Sequence, residues 1–244
     1  MTDAAEQAGA FWRYRRPAGP GVVLPVAPVL ASWDRSDQPS QVALAGFLDR
    51  LEPIVGPALA SSASPLALAL EVGLPTGTPL SSGGRDLDNY LFPIVQRFGP
   101  ARFAAVFARK HHQRSAITIG PAVPGNTDPA KGGWSRFAAW LTGSSQTVVW
   151  KQQLADALAA TGPVVVEEGP VALHVAFRVS AQRNWASLWK PTIDALGGIL
   201  GLDKPDQPFH PRDDRIVDLG LQHAIDPSIG HAVGVAVWWK PADP

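Results

Sequence analysis

The chain has 244 residues, no cysteine, and 21 basic against 21 acidic side chains, so its formal net charge is zero. The lack of cysteine excludes disulfides, thiolate metal centres and a cysteine nucleophile, and it fits a reducing, cytoplasmic setting. No run of about 18 apolar residues offers a membrane span, and the acid-bearing segment Met1 to Ala10 does not read as a secretory signal, so a soluble chain without a membrane partner is expected.

Val22 to Leu30 reads as an apolar strand broken by prolines. Gln41–Val55 has helical periodicity and is expected to stop before Gly56-Pro57. Leu66–Leu74 alternates like a half-buried strand. A loop of small residues, 75–84, leads into a helix over Leu87–Phe98, and two strands near Arg102–Ala108 and Ser115–Ile119 read as a closing hairpin. Residues 123–133, rich in Pro, Gly, Asn and Asp, have linker composition. Beyond them come a candidate strand over Trp134–Leu141, for which helix is the alternative, a helix over Gln146–Ala160, a strand over Val171–Val179 and a helix over Trp185–Leu196 stopped by Gly197-Gly198. Arg215–Leu221 and His231–Trp239 read as a final strand pair, with Val233, Val235 and Val237 facing the helices and the side between them more exposed.

A faint repeat underlies this order. Arg85 to Gly99 lies over Arg183 to Gly197: both segments open with Arg, carry Pro at the same interior place (Pro93 and Pro191) and close with Gly. Such a repeat implies two tandem copies, 1–122 and 134–244, joined by the linker 123–133. The expected fold class is α+β, each copy a small mixed sheet with helices on one face. The two copies would form an internal pseudo-dimer, monomeric as a chain.

Three pieces carry a family resemblance. Asp86-Leu-Asp88-Asn89 resembles the Asp-x-Asp-Asn signature that opens a helix in RusA-type Holliday junction resolvases. Lys190-Pro-Thr-Ile-Asp194 resembles the continuation of that helix, and Asp213-Asp214-Arg-Ile-Val resembles the family's later acidic pair at a strand start. The resemblance implies an Mg²⁺-dependent endonuclease for four-way DNA junctions, active in DNA recombination and repair. It also implies Asp86, Asp88, Lys190, Asp213 and Asp214 as catalytic residues, with Asp86, Asp88 and Asp214 on the metal. Clustered carboxylates suit Mg²⁺, which takes hard oxygen ligands, and a lysine suits the charge that develops on phosphorus. If these acids share one ion, their carboxylates must lie within about 5 Å of each other, and at least one should have a raised pKa.

Neither copy is complete. The first has Phe92 at the lysine position, with basic residues around Arg109–His112 where the later acids are expected; the second has Asn184 and Ala186 at the signature acids. Division of one composite site between the copies is one reading, and decay of both into a non-catalytic binding or scaffold protein is the alternative.

The candidate DNA contacts are Arg85, Asn89, Arg109, Lys110, Arg114 and Arg183, with Arg13, Arg15 and Arg16 as a further basic cluster. Branched or junction DNA is the expected partner, although zero net charge argues for weak affinity. Each residue also has a plainer reading. Asp86 is placed to be a helix N-cap, Asp88 to favour the helix dipole, Asp213-Asp214 to make a turn and Lys190 to sit in solvent. His111 and His112, adjacent on a strand, point to opposite faces and make a poor metal pair. His174 reads as a core histidine, and Trp185 and Trp189 as packing between the copies.

Overall fold

The structure, a computed structural model, describes residues 11, 13–31, 34–125 and 132–242. Most of the expected linker, and the segment Met1 to Ala10, lie outside the described residues. The fold is mixed α+β, and among the described residues eight strands form one sheet. In chain order these are β1 (Val22–Val23), α1 (Pro39–Ser61), β2 (Leu66–Gly73), α2 (Leu87–Phe98), β3 (Phe103–His111) and β4 (Ala116–Pro121). Then come β5 (Ser135–Leu141), α3 (Val148–Ala159), β6 (Val171–Val179), α4 (Trp189–Asp194), α5 (Gly197–Leu200), β7 (Ile216–Ile225) and β8 (Val233–Pro241).

The sheet order is β1-β4-β2-β3-β7-β6-β8-β5. Read from either end it gives the same scheme. In each half an inner strand pairs in parallel with the next one along the chain, β2 with β3 and β6 with β7. On its other side it pairs antiparallel, β2 with β4 and β6 with β8. The register breaks at the same place in both parallel pairs, between Leu66 and Ala67 and between Val171 and Ala172. At the centre β3 and β7 run antiparallel, with Phe107 opposite Gly220 and flanking pairs Ala105–Gln222 and Arg109–Asp218 that exchange when the halves are exchanged. A Cβ on Gly220 would stand 3.1 Å from the His174 ring, so the close approach there favours glycine.

The described helices share one face of the sheet. Leu66, Leu68, Leu70 and Val72 of β2 point into a core with Phe47, Leu51 and Val55 of α1, Leu91 and Ile94 of α2, and Trp150 and Leu154 of α3. Each fully buried side chain of this size stabilises by roughly 1.5–3 kcal/mol, and α1 runs on through Gly56-Pro57 to Ser61, with Pro53 and Pro57 inside it and the partly buried Leu59 still packed on the core. Each proline removes one intrahelical donor, and the row Leu44, Phe47, Leu51, Val55 holds the helix to the sheet regardless.

Several local expectations are corrected. Only Val22–Val23 of the segment 22–30 pairs in the sheet, because Pro25 and Pro28 cannot donate. Neither β3–β4 nor β7–β8 is a hairpin, since β2 and β6 lie between them. The expected helix 185–196 is a 3₁₀ turn (Trp185–Leu188) followed by α4, and Gly197 begins α5 instead of ending a helix. Pro191 alone does not account for the turn, since Pro93 stands at the same repeat position inside the unbroken helix Leu87–Phe98. Val233, Val235 and Val237 do face the helices, but the opposite side of β8 is buried too: Ala236 and Trp238 pack with Phe11, Ala138 and Ala176. No helix among the described residues is long and apolar enough to cross a membrane.

A candidate metal-binding acid site between the halves

β7 runs antiparallel to β3, so β7 begins at the edge of the sheet where β2 and β3 end. The chain leaves β2 there and enters α2 at Asp86, and the 3₁₀ turn Asp213–Arg215 meets it from the other half. One carboxylate oxygen each from Asp86, Asp88 and Asp213 lie within 4.8 Å of one another.

The turn that presents Asp213 is anchored from behind. Arg215 is buried and donates from Nη1 to the carbonyls of Val166 (2.8 Å) and Leu200 (2.7 Å), and from Nε to Gly169 (2.9 Å). Asp214 turns elsewhere: its carboxylate accepts from the Gly84 N–H at 3.3 Å, and its carbonyl from Lys110 Nζ at 2.7 Å. The acid that joins Asp86 and Asp88 is therefore Asp213, and not the Asp214 that the resemblance implies.

Asp86 stands at the N-cap of α2 but caps nothing with its side chain. Its Oδ2 accepts from Asn89 Nδ2 at 3.1 Å, and its Oδ1 is buried with no hydrogen-bond partner. A buried carboxylate oxygen left so is costly, and an ion is one of its standard explanations. The carboxylate faces Lys190 instead of the helix it begins. Lys190 Nζ lies 2.6 Å from Asp213, 3.1 Å from Asp194 and 4.0 Å from Asp86. Asp194 also accepts from Lys151 at 2.6 Å. Its place at i+4 from Lys190 was the signal that could have marked it as part of the cluster.

The crowding shows in the acidities. Burial pushes the Asp88 carboxyl up from an ordinary 3.8 to about 7; Lys190 opposes this, and Asp213 and Asp86 add to it. Asp86 is pushed up to about 6 by burial and by Asp213, against Lys190. Burial lowers Lys110 to about 8, with Asp86 and Asp214 opposing. For Lys190 burial works downward, but Asp88, Asp213 and Asp194 outweigh it and hold the ammonium above its usual range. At neutral pH one firmly charged lysine thus faces acids that resist full ionisation together. Three oxygen-donor acids around a space shared with one cation are a donor set suited to Mg²⁺.

The candidate DNA contacts divide. Arg109 is spent on Asp218 through Nε (3.1 Å) and Nη2 (2.5 Å). Lys110 is buried, 3% exposed, beside the acids. Asn89 serves Asp86. Arg85 donates to the Ser82 carbonyl at 3.4 Å, Arg183 donates to the Gly143 carbonyl at 3.0 Å and lies over the Trp150 ring, and Arg114 is exposed. In the N-terminal cluster Arg16 pairs with Asp218 and Glu71, and Arg13 lies over the rings of Trp134 and Trp238 on the sheet face away from the helices. A cleft of about 730 Å³ opens beside Lys110, lined also by Arg109, His111, His112, Lys240 and Ser81.

Arg109–His112 are not the counterpart of the acidic pair. The three-residue turn that precedes β3, as Asp213–Arg215 precedes β7, is Pro100–Arg102. His174 is half-buried against Phe107 and Trp134, with desolvation lowering it to about 4. Trp185 and Trp189 pack against residues of the other half, Pro100 and Phe92. No protein-family model matches the chain, and no curated protein is found to resemble it.

Proposed function

We propose that the chain is a metal-dependent, structure-selective endodeoxyribonuclease for branched DNA, built as two tandem RusA-like copies that share one composite site. The observation that carries this reading is the convergence of Asp86 and Asp88 from one half with Asp213 from the other, within 4.8 Å. The repeated pairing scheme about Phe107 and Gly220 supports the duplicated architecture.

Asp86, Asp88 and Asp213 would hold Mg²⁺, which when bound activates water and offsets charge on the phosphorus centre. The chain's own groups do the rest. Asp213 and Asp194 position the Lys190 ammonium, which faces the negative charge of the scissile phosphate. The half-exposed Lys190 side chain is free to swing from carboxylate to phosphate when a cation takes its place among the acids. Asn89 orients Asp86 through its amide. The test is cleavage of a synthetic four-way junction against a linear duplex in Mg²⁺, with Asp88→Asn as control. Junction-selective, metal-dependent cutting that the variant loses is expected; a folded protein that cuts neither substrate would end the enzymatic reading.

One observation favours the alternative, a non-catalytic binding or scaffold protein. Lys190 already offsets part of the acidic charge, and Arg16 and Arg109 are tied to Asp218. That reading expects junction binding without cleavage at any divalent-ion concentration.

A further inference from the structure

The exchange of halves that carries β3 onto β7 also defines a second place where an acid site would stand. Position for position in the repeat, Asn184 and Ala186 occupy the places of Asp86 and Asp88, and Phe92 that of Lys190. Pro100 opens the turn before β3 as Asp213 opens the turn before β7, and His223 is the eighth residue of β7 as Lys110 is of β3. None of these five residues is acidic.

The second place is filled. Trp185, 2% exposed, donates from its indole N–H to the Pro100 carbonyl at 2.9 Å and stacks on His223 at 4.4 Å between ring centroids. Trp189, 1% exposed, meets Trp185 at 4.9 Å and Phe92 at 6.3 Å. Asn184, unlike Asp86, caps its own turn, accepting from the Ala186 N–H at 3.1 Å. Burial lowers His223 to about 4, so its ring is neutral at physiological pH. Aromatic side chains and a satisfied cap stand where the acids would, and among the described residues no second group of acids or histidines gathers there.

We infer that one chain carries one metal centre and makes one incision, leaving a nick in branched DNA where a symmetric pair of sites would make two cuts. This rests on the reading of the acid cluster as a metal-dependent nuclease site. Each turnover hydrolyses one phosphodiester. The water oxygen bonds to phosphorus, and the bond from phosphorus to one sugar oxygen breaks. That oxygen takes up one of the water's protons, and the other goes to the new phosphate or to solvent. The uncut strand opposite requires a second chain.

Two readouts test this on the full chain. Mn²⁺ titration followed by electron paramagnetic resonance counts ions per chain, and a supercoiled plasmid with an extruded inverted repeat reports the product in Mg²⁺. One ion per chain, lost in Asp88→Asn, together with open circular plasmid as the first product supports the inference. Two ions per chain, or linear plasmid formed without an open circular intermediate at limiting protein, overturns it while leaving the composite site standing. No bound ion and no cleavage overturns the nuclease reading, and the single-centre inference with it.

Discussion

Asp86 and Asp213 belong to opposite halves of the chain, yet a carboxylate oxygen of each falls within the same 4.8 Å group as Asp88. Neither half contains the full set, so the central β3–β7 pairing, which brings the end of one half's parallel strands to the start of the other's, creates the cluster. What this contact does to acidity, stability and binding can be measured.

Raised carboxyls make stability depend on pH in a definite direction. In the unfolded chain Asp86 and Asp88 lose their protons near 3.8, whereas in the fold they hold them to about 6 and about 7. Between those limits the folded state binds more protons, so these two groups lower stability as pH rises from about 4 to 7. Asp88→Asn removes the larger penalty. In a chelator at pH 8 the variant should melt at a higher temperature than the parent, with a gain of ~1.4 kcal/mol for each unit by which the carboxyl is raised. Below pH 4 the two should melt alike. A variant less stable at pH 8 would show that the burial of Asp88 has been misjudged.

Lys190 balances the acids when no other cation does. Lys190→Met should lower stability by about 2 kcal/mol at pH 8, the usual loss for a charge-assisted hydrogen bond left with its acceptor unpaired. Mg²⁺ should restore most of the loss by taking the place of the ammonium. Thermal melts of parent and variant, with and without Mg²⁺, provide the check, and the absence of any recovery with the ion would count against a metal site.

Secondary structure was legible where the periodicity was strong. The expected bounds Leu87–Phe98 and Val171–Val179 are those observed. Strand neighbours were not legible, because β4 passes over β3 to pair with β2 and nothing local in residues 112–115 records that choice. The repeat pointed to Asp86, Asp88 and Lys190 as complementary remnants, and those residues do converge. Which of two adjacent acids turns inward depends on a 3₁₀ turn clamped by Arg215, whose partners Val166, Gly169 and Leu200 are remote in sequence. Arg109 read as a phosphate contact because its partner Asp218, opposite it on the neighbouring strand β7, is far along the chain.

The spent arginines set an expectation for DNA binding. With Arg16 and Arg109 on Asp218 and Lys110 buried, the exposed Arg114 and the half-buried Arg85 and Arg183 remain as candidates. Each phosphate contact contributes about −0.9 to the slope of log affinity against log salt, so a slope no steeper than about −3 is expected, with weak affinity near physiological salt. Titration of a labelled four-way junction at several salt concentrations measures it. A slope near −6 or beyond would reveal basic contacts not accounted for here.

The most direct test of the account is calorimetric titration of Mg²⁺ into the parent, Asp88→Asn, Asp213→Asn and the double variant at pH 8, above the raised carboxyls. Asp88 and Asp213 come from opposite halves, so a shared ion makes each indispensable. Each single change should abolish binding, and the double change should add nothing, because the residues act as one unit. Wild-type affinity in a folded Asp213→Asn would contradict the composite site.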